Sequence, residues 1–152
     1  MNSLLKSVSS LILLSGFFSC VHTQDIVMVT NVENEGWTKD GPVYVWYGNE
    51  DTVSQRTLLL VSRFTDRFGY DKLRLAVEML SPEGKFHTDT VFVKYDPAWK
   101  NASGPVTHKN SENIFRTGVV LRETGKYRIR FSHLMPDSVI QGVSGLGIRI
   151  EK

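Results

Sequence analysis

Few residues of this chain have a type and spacing that could do chemistry. The 152 residues include one cysteine, Cys20, and four histidines, His22, His87, His108 and His133. The histidines stand far apart, and none is spaced from another histidine, the cysteine or a carboxylate as the ligands of a zinc site are. Each reads as a surface or strand-edge residue. Ser144 sits in "GVSGLG", but no glycine follows it two places on, so there is no nucleophile elbow, and the glycines are in the wrong order for a dinucleotide fingerprint. That stretch reads as a flexible turn before a last strand. With no motif that carries a mechanism, the chain is expected to be no enzyme and to need no metal or cofactor. A hydrolase built on two carboxylates that folding brings together is the outlying alternative.

Cys20 is the residue with the clearest chemistry. It closes "LILLSGFFSC", after an apolar or small-residue run from Val8 to Phe18 that follows the single charge of Lys6. That run is about half the roughly 20 residues needed to span a bilayer as a helix. A basic start, a short apolar stretch and small residues near the exit make a secretory signal peptide over 1–19. A buried core helix is the competing reading, but no polar face repeats at helical spacing. The end of the run resembles a bacterial lipobox, in which the thiol takes a diacylglycerol, the signal is cut before it, and the new amino group is acylated. A lone cysteine cannot close an intramolecular disulfide. The plainer alternative is a cysteine lost with the signal. Each buried methylene contributes about 0.8 kcal/mol, so several acyl chains would hold durably where one holds marginally. Residues 20–25 would then be a lipidated tether.

Past the tether, 26–152 are of a length for one domain, commonly about 100–150 residues. Loss of Lys6 leaves a near-neutral balance of basic and acidic side chains, which gives no clustered basic signature of a nucleic-acid partner. The patterning is that of short half-buried strands. In "KLRLAVEML", Leu73, Leu75, Val77 and Met79 point one way, and in "GKYRIRFSH", Tyr127, Ile129 and Phe131 alternate with Lys126, Arg128 and Arg130. Similar runs lie at 42–47, 57–65, 90–95, 115–121 and 146–151, with a further short one at 26–30. "SPEGK" is a hairpin turn, because Pro82 presets one dihedral and Gly84 tolerates a positive one. Seven or eight such strands without crossover helices predict an all-β, antiparallel β-sandwich. The stretch 96–113 is the longest interval without a pattern, of a length that tends to be functional or disordered.

Aromatic residues give the candidate binding surface. In "VYVWY", Val43, Val45 and Tyr47 share a face and Tyr44 and Trp46 share the other, about 7 Å apart. The two rings could stack on sugars or partner side chains. The favoured reading is that both faces of this strand are covered, since aromatic area usually ends buried. Trp37 and Trp99 fall in turns or loops, where they would serve binding or plug the open end of the sandwich.

The chain resembles the GldH-type gliding-motility lipoproteins of Bacteroidetes. The matching stretches are "GWTKDGPV" with Trp37, Lys39 and Asp40; "VSRFTDRFGYDKL" with Arg63, Tyr70 and Leu73; "DTV" at 89–91; "TGKYRIRFSHLM" with Gly125, Tyr127 and Met135; and "GVSGLGIRIEK" with Gly142, Gly147, Arg149 and Ile150. The order is kept over nearly all of 26–152. The chain departs in having Gly69 directly beside Tyr70. The resemblance implies an exported lipoprotein of the gliding and type IX secretion machinery, with no catalytic residue to carry over. Tyr70 joins Trp37, Tyr44, Trp46 and Trp99 as the candidate binding surface.

Three short patterns, "DTV" at Asp51, "DTV" at Asp89 and "DSV" at Asp137, look like O-glycan acceptors of such bacteria at Thr52, Thr90 and Ser138, with Thr90 the hardest to reach if it lies in a strand. Val21 is not the aspartate of inner-membrane retention, and "VHTQD" is poor in the acids of a surface-export signal, so the expected place is the outer membrane, facing the periplasm. The expected partners are the membrane through the lipid and other envelope or motility proteins. The alternative is a glycan-binding surface lipoprotein that uses its aromatics.

Overall fold

The computed structural model describes residues 26–32, 36–96, 98 and 108–152. The expected signal 1–19, the tether 20–25 with Cys20, and Trp99 lie outside the described residues.

Ten strands run in the order β1 (Ile26–Asn31), β2 (Trp37–Thr38), β3 (Val43–Asn49), β4 (Gln55–Phe64), β5 (Lys72–Leu80), β6 (Phe86–Lys94), β7 (Lys109–Val120), β8 (Gly125–His133), β9 (Val139–Ile140) and β10 (Val143–Glu151). They form two four-stranded antiparallel sheets, ordered β1-β10-β4-β7 and β3-β8-β5-β6, and a small β2-β9 pair. The expected all-β sandwich is therefore what forms. All eight expected runs are strands, and the two-residue strands β2 and β9 are additions that no alternation could announce. Trp37 is in β2 and not in a turn, the expected loop 96–113 gives way to β7 from Lys109, and "GVSGLG" leads into and forms part of β10 instead of a turn.

Alternation puts one apolar face of each sheet inward, and one core joins them. Val43, Val45 and Tyr47 of β3, Leu73, Leu75 and Val77 of β5, and Tyr127, Ile129 and Phe131 of β8 meet Leu58 and Leu60 of β4 and Leu146, Ile148 and Ile150 of β10. The seams between the sheets are bridged by side chains. At one, Thr30 Oγ1 of β1 donates to the Tyr44 carbonyl of β3 at 2.8 Å. At the other, Arg116 of β7 grips Asp89 of β6 with Nε at 2.6 Å and Nη2 at 3.0 Å. Two register shifts in the β4–β7 pairing bring Arg116 there, since bulges re-aim side chains at sheet edges.

One end of the sandwich, where β1 starts and β10 finishes, is locked by polar groups. Arg56 is buried, and its Nη2 donates to Asn49 Oδ1 at 2.9 Å and to the Asp51 carbonyl at 2.8 Å. Asn49 Nδ2 in turn donates to the carbonyls of Leu121 and Glu123, each at 2.9 Å. Glu123 accepts from Lys85 Nζ at 2.7 Å and from the Glu83 amide at 2.9 Å. The Lys85 hydrogen bond, then those of Ser81 and the Glu83 backbone, hold the Glu123 carboxyl at about 2. The opposite end is packed with rings. Phe68 lies 4.8 Å from Phe64, 5.6 Å from Tyr70 and 5.2 Å from Tyr95, centroid to centroid. The turn before β10 presses on this cluster at Gly142, whose φ is 82° and where a Cβ would stand 2.1 Å from the Phe68 nitrogen.

Gly142→Ala is expected to destabilise the fold by at least about 3 kcal/mol, because left-handed strain adds to a clash with backbone. Gly84→Ala, at a φ of 86° but with open space around it, should cost only about 1 kcal/mol, and urea unfolding of both variants checks the contrast. A carboxyl whose folded pKa lies below its ordinary 4.5 adds stability above that value and loses it as the pH falls towards 2. Glu123→Gln should therefore flatten the loss of stability between about pH 4.5 and 2, as measured by melting at stepped pH.

Candidate functional site

Two surfaces carry the residues singled out in the sequence. The first is the outer face of the β3-β8-β5-β6 sheet. Tyr44 and Trp46 point outward from β3 and are 38% and 49% exposed, so the expectation that this strand is covered on both faces is corrected. Register sets Tyr44 opposite Arg130 and Trp46 opposite Arg128 on β8. The Lys126 ammonium lies 4.9 Å from the Trp46 ring centroid, and the Arg128 guanidinium 5.8 Å from Tyr44 and 5.9 Å from Trp46. Cation–π contacts of this kind contribute about 0.5–1 kcal/mol each at exposed sites.

The same face continues across β5 and β6. Arg128 is followed by Leu80 and Phe86, Arg130 by Glu78 and Thr88, and the last rows hold Arg74 with Phe92 and Lys72 with Lys94. Lys72 stands 5.6 Å from the Phe92 ring. Six cations thus share the face with one acid, Glu78, and among the described residues only Arg130 has a carboxylate partner there, Glu78 at 2.9 Å. The sequence showed that Lys126, Arg128 and Arg130 alternate with core residues. It did not show that β8 lies between β3 and β5, which is what gathers the cations beside Tyr44 and Trp46.

The second surface is a cleft of about 560 Å³ at the ring-packed end. Lys39, Tyr70, Lys72 and Arg74 line it above Leu134 and Met135. Tyr70 is half-buried, and its hydroxyl donates to the Asp137 carboxylate, a bond that, with burial, raises the Tyr70 pKa. The Arg74 amide meets Met135 Sδ at 3.3 Å, and the Leu134 amide donates to the Arg74 carbonyl at 2.8 Å, which fixes the cleft wall to β5.

Trp37 does not belong to either exposed surface. It is 3% exposed, donates from Nε1 to the Gly41 carbonyl at 2.7 Å, and stands edge-on to His133 at 5.1 Å. His133 is likewise buried, contrary to its reading as a surface or edge residue. Burial first, and the charge of Lys39 second, lower its pKa and keep the ring neutral near pH 7. His87 and His108 are exposed as expected. Among the described residues no three of histidine, cysteine, aspartate and glutamate gather to hold a metal ion.

The three acceptor patterns fall at different places. Thr52 is half-exposed between β3 and β4, Ser138 is exposed before β9, and Thr90 is exposed on the outer face of β6, so its place in a strand does not hide it. In each pattern the aspartate is engaged. Asp51 accepts from the Val53 and Ser54 amides at 3.1 and 3.0 Å, Asp89 is held by Arg116, and Asp137 is held by Tyr70.

Residues 27–150 match the family model described as GldH lipoprotein. The chain belongs to that family. A curated relative, the gliding motility lipoprotein GldH homolog of Christiangramia forsetii, is 28% identical over 127 residues, which cover 76% of this chain and 77% of the relative. Among solved structures, the dimeric latent PorU of Porphyromonas gingivalis aligns with 86% of this chain at 10% identity and a TM-score of 0.35, and the chain spans 13% of its length. The match to the GldH model takes in all but the first residue of β1 and the last of β10, and both surfaces. Of the stretches by which the chain resembles the GldH family, Lys39, Tyr70 and Met135 come from three separate segments and meet in the one cleft.

Trp46→Ala should cost this GldH-family chain no more than about 1–2 kcal/mol, the worth of the two exposed cation–π contacts it ends. Trp37→Ala should cost about 3–5 kcal/mol, as for a core aromatic. Chemical denaturation of the two variants separates the surface ring from the buried one.

Proposed function

We propose that this GldH-family chain is a membrane-anchored lipoprotein of the cell envelope that serves the gliding and type IX secretion machinery as a non-catalytic part, through protein contacts. Family membership supports the link to gliding motility. The observation that carries the contact reading is the convergence of Lys39, Tyr70 and Met135 on one cleft from segments far apart in sequence. An apolar floor with a few placed polar groups is the usual build of a recognition site. Here Leu134 and Met135 supply the apolar lining, and Lys39, Lys72 and Arg74 outnumber the one acid, Asp71, a balance suited to an apolar segment flanked by acids on a partner protein.

The anchor is Cys20. Acylation there would place the domain at the outer membrane on its periplasmic side, and the tether 20–25 would let the sandwich work close to the bilayer. A polar substitution at the cleft rim leaves the core untouched, so loss of partners can be read apart from loss of fold.

Arg74→Glu with Lys39→Glu is expected to retain the native melting temperature to within a few degrees. The double variant should lose at least about nine-tenths of the envelope proteins that co-purify with the native chain from detergent-solubilised membranes, in line with hot-spot losses above about 1.4 kcal/mol. Undiminished recovery of the same partners would refute the contact reading. Cys20→Ser should shift the protein from the membrane pellet to the soluble fraction when the membranes are washed at high salt, which leaves a lipid anchor in place.

A further inference from the structure

The outer face of the β3-β8-β5-β6 sheet combines two features that the cleft, which shares only Lys72 and Arg74 with it, does not account for. Its charge is one-sided in a chain that is near neutral as a whole, and its exposed rings sit at both edges. Tyr44 and Trp46 lie on edge strand β3, Phe86 and Phe92 on edge strand β6, and the latter two are 61% and 53% exposed. The two edges are roughly 14 Å apart at ordinary strand spacing, and the cations fill the strands between them.

We propose that this face lies against an anionic lipid surface. A sheet face with rings at its margins and cations between them suits an extended anionic surface. Tyrosine and tryptophan favour the interfacial layer with one end apolar and the other wet, phenylalanine has no polar group to offer a sugar, and unpaired lysine and arginine attract acidic headgroups. Lys126 and Arg128, stacked on Trp46, have long side chains that cover the ring yet keep their charge at the surface. In the membrane-bound state the ring would enter the headgroup layer and the two cations would meet phosphate oxygens.

The course of the chain points to the same face. β1 begins at Ile26, opposite Ile150, and runs beside β3, to which Thr30 bonds at Tyr44. A tether of residues 20–25 reaches at most about 20 Å when extended. A lipid at Cys20 would thus hold Ile26, the start of the strand that runs beside this edge, within that distance of the bilayer. This last step rests on the anchor proposed above, whereas the charge and the rings do not.

The test uses the unacylated mature chain 20–152 with Cys20→Ser, since both sheets and their shared core lie within 26–152. Co-sedimentation with vesicles of equal parts phosphatidylethanolamine and phosphatidylglycerol is expected, with little on pure phosphatidylcholine and a decline as salt is raised. Lys126→Glu with Arg128→Glu should weaken binding at least about tenfold, and Trp46→Ala should weaken it and remove a blue shift in tryptophan emission seen on adding vesicles. Melting curves of the variants that match the parent exclude unfolding as the cause. No sedimentation with the anionic vesicles, or equal sedimentation of parent and variants, overturns the proposal. Binding to a polyuronate but not to vesicles, lost in the same variants, also overturns it and assigns the face to an acidic glycan. Failure of Cys20→Ser to release the protein from salt-washed cell membranes would count against the anchor alone, because salt strips binding through the charged face and the vesicle assay has no lipid on the protein.

Discussion

The structure depends on the contact between the inner faces of two sheets, neither of which could stand in water alone. A single four-stranded sheet with one apolar face has to cover it, and here each covers the other. Leu58, Leu60, Leu73, Leu75, Phe131, Leu146 and Ile148 are essentially fully buried in that contact. Because strand side chains alternate, every residue that the core takes inward commits its neighbours to the outside. The outer face of the β3-β8-β5-β6 sheet is the consequence. Its cations and rings are placed by the demand for Val43, Val45, Ile129 and Phe131 on the other side.

The two ends of the sandwich solve the same problem with different chemistry. At the end where β1 starts, the buried Arg56 joins Asn49 and the loop carbonyls near it, so that backbone groups left by the strand ends find partners. At the other end Phe64, Phe68 and Tyr95 close the core with rings, and Gly142 lets the last turn come within contact of the Phe68 backbone. The cleft with Tyr70 opens beside this rigid cluster. Side chains that line it stand on a base with little freedom of its own.

Motif resemblance and geometry meet in the cleft. Lys39 follows β2, Tyr70 precedes β5 and Met135 follows β8, three positions that share no local pattern. The Tyr70–Asp137 bond and the Arg74–Met135 contact join those segments across more than 60 residues of sequence.

Local residue order was enough to determine the eight longer strands, their inward faces, the Ser81–Lys85 hairpin and the family. Alternation of Leu73, Leu75 and Val77, or of Tyr127, Ile129 and Phe131, is a short-range signal, and the strand conformation that it reports is set by neighbouring residues. Only the tertiary structure decided which strands are neighbours. Of the consecutive long strands only β5 and β6 pair directly, and the other links cross from sheet to sheet or over the ends. The burial of Trp37 and His133, the exposure of Tyr44 and Trp46, and the gathering of cations around them all follow from those pairings. They depend on residues far apart in the chain, and no window on the sequence holds both partners.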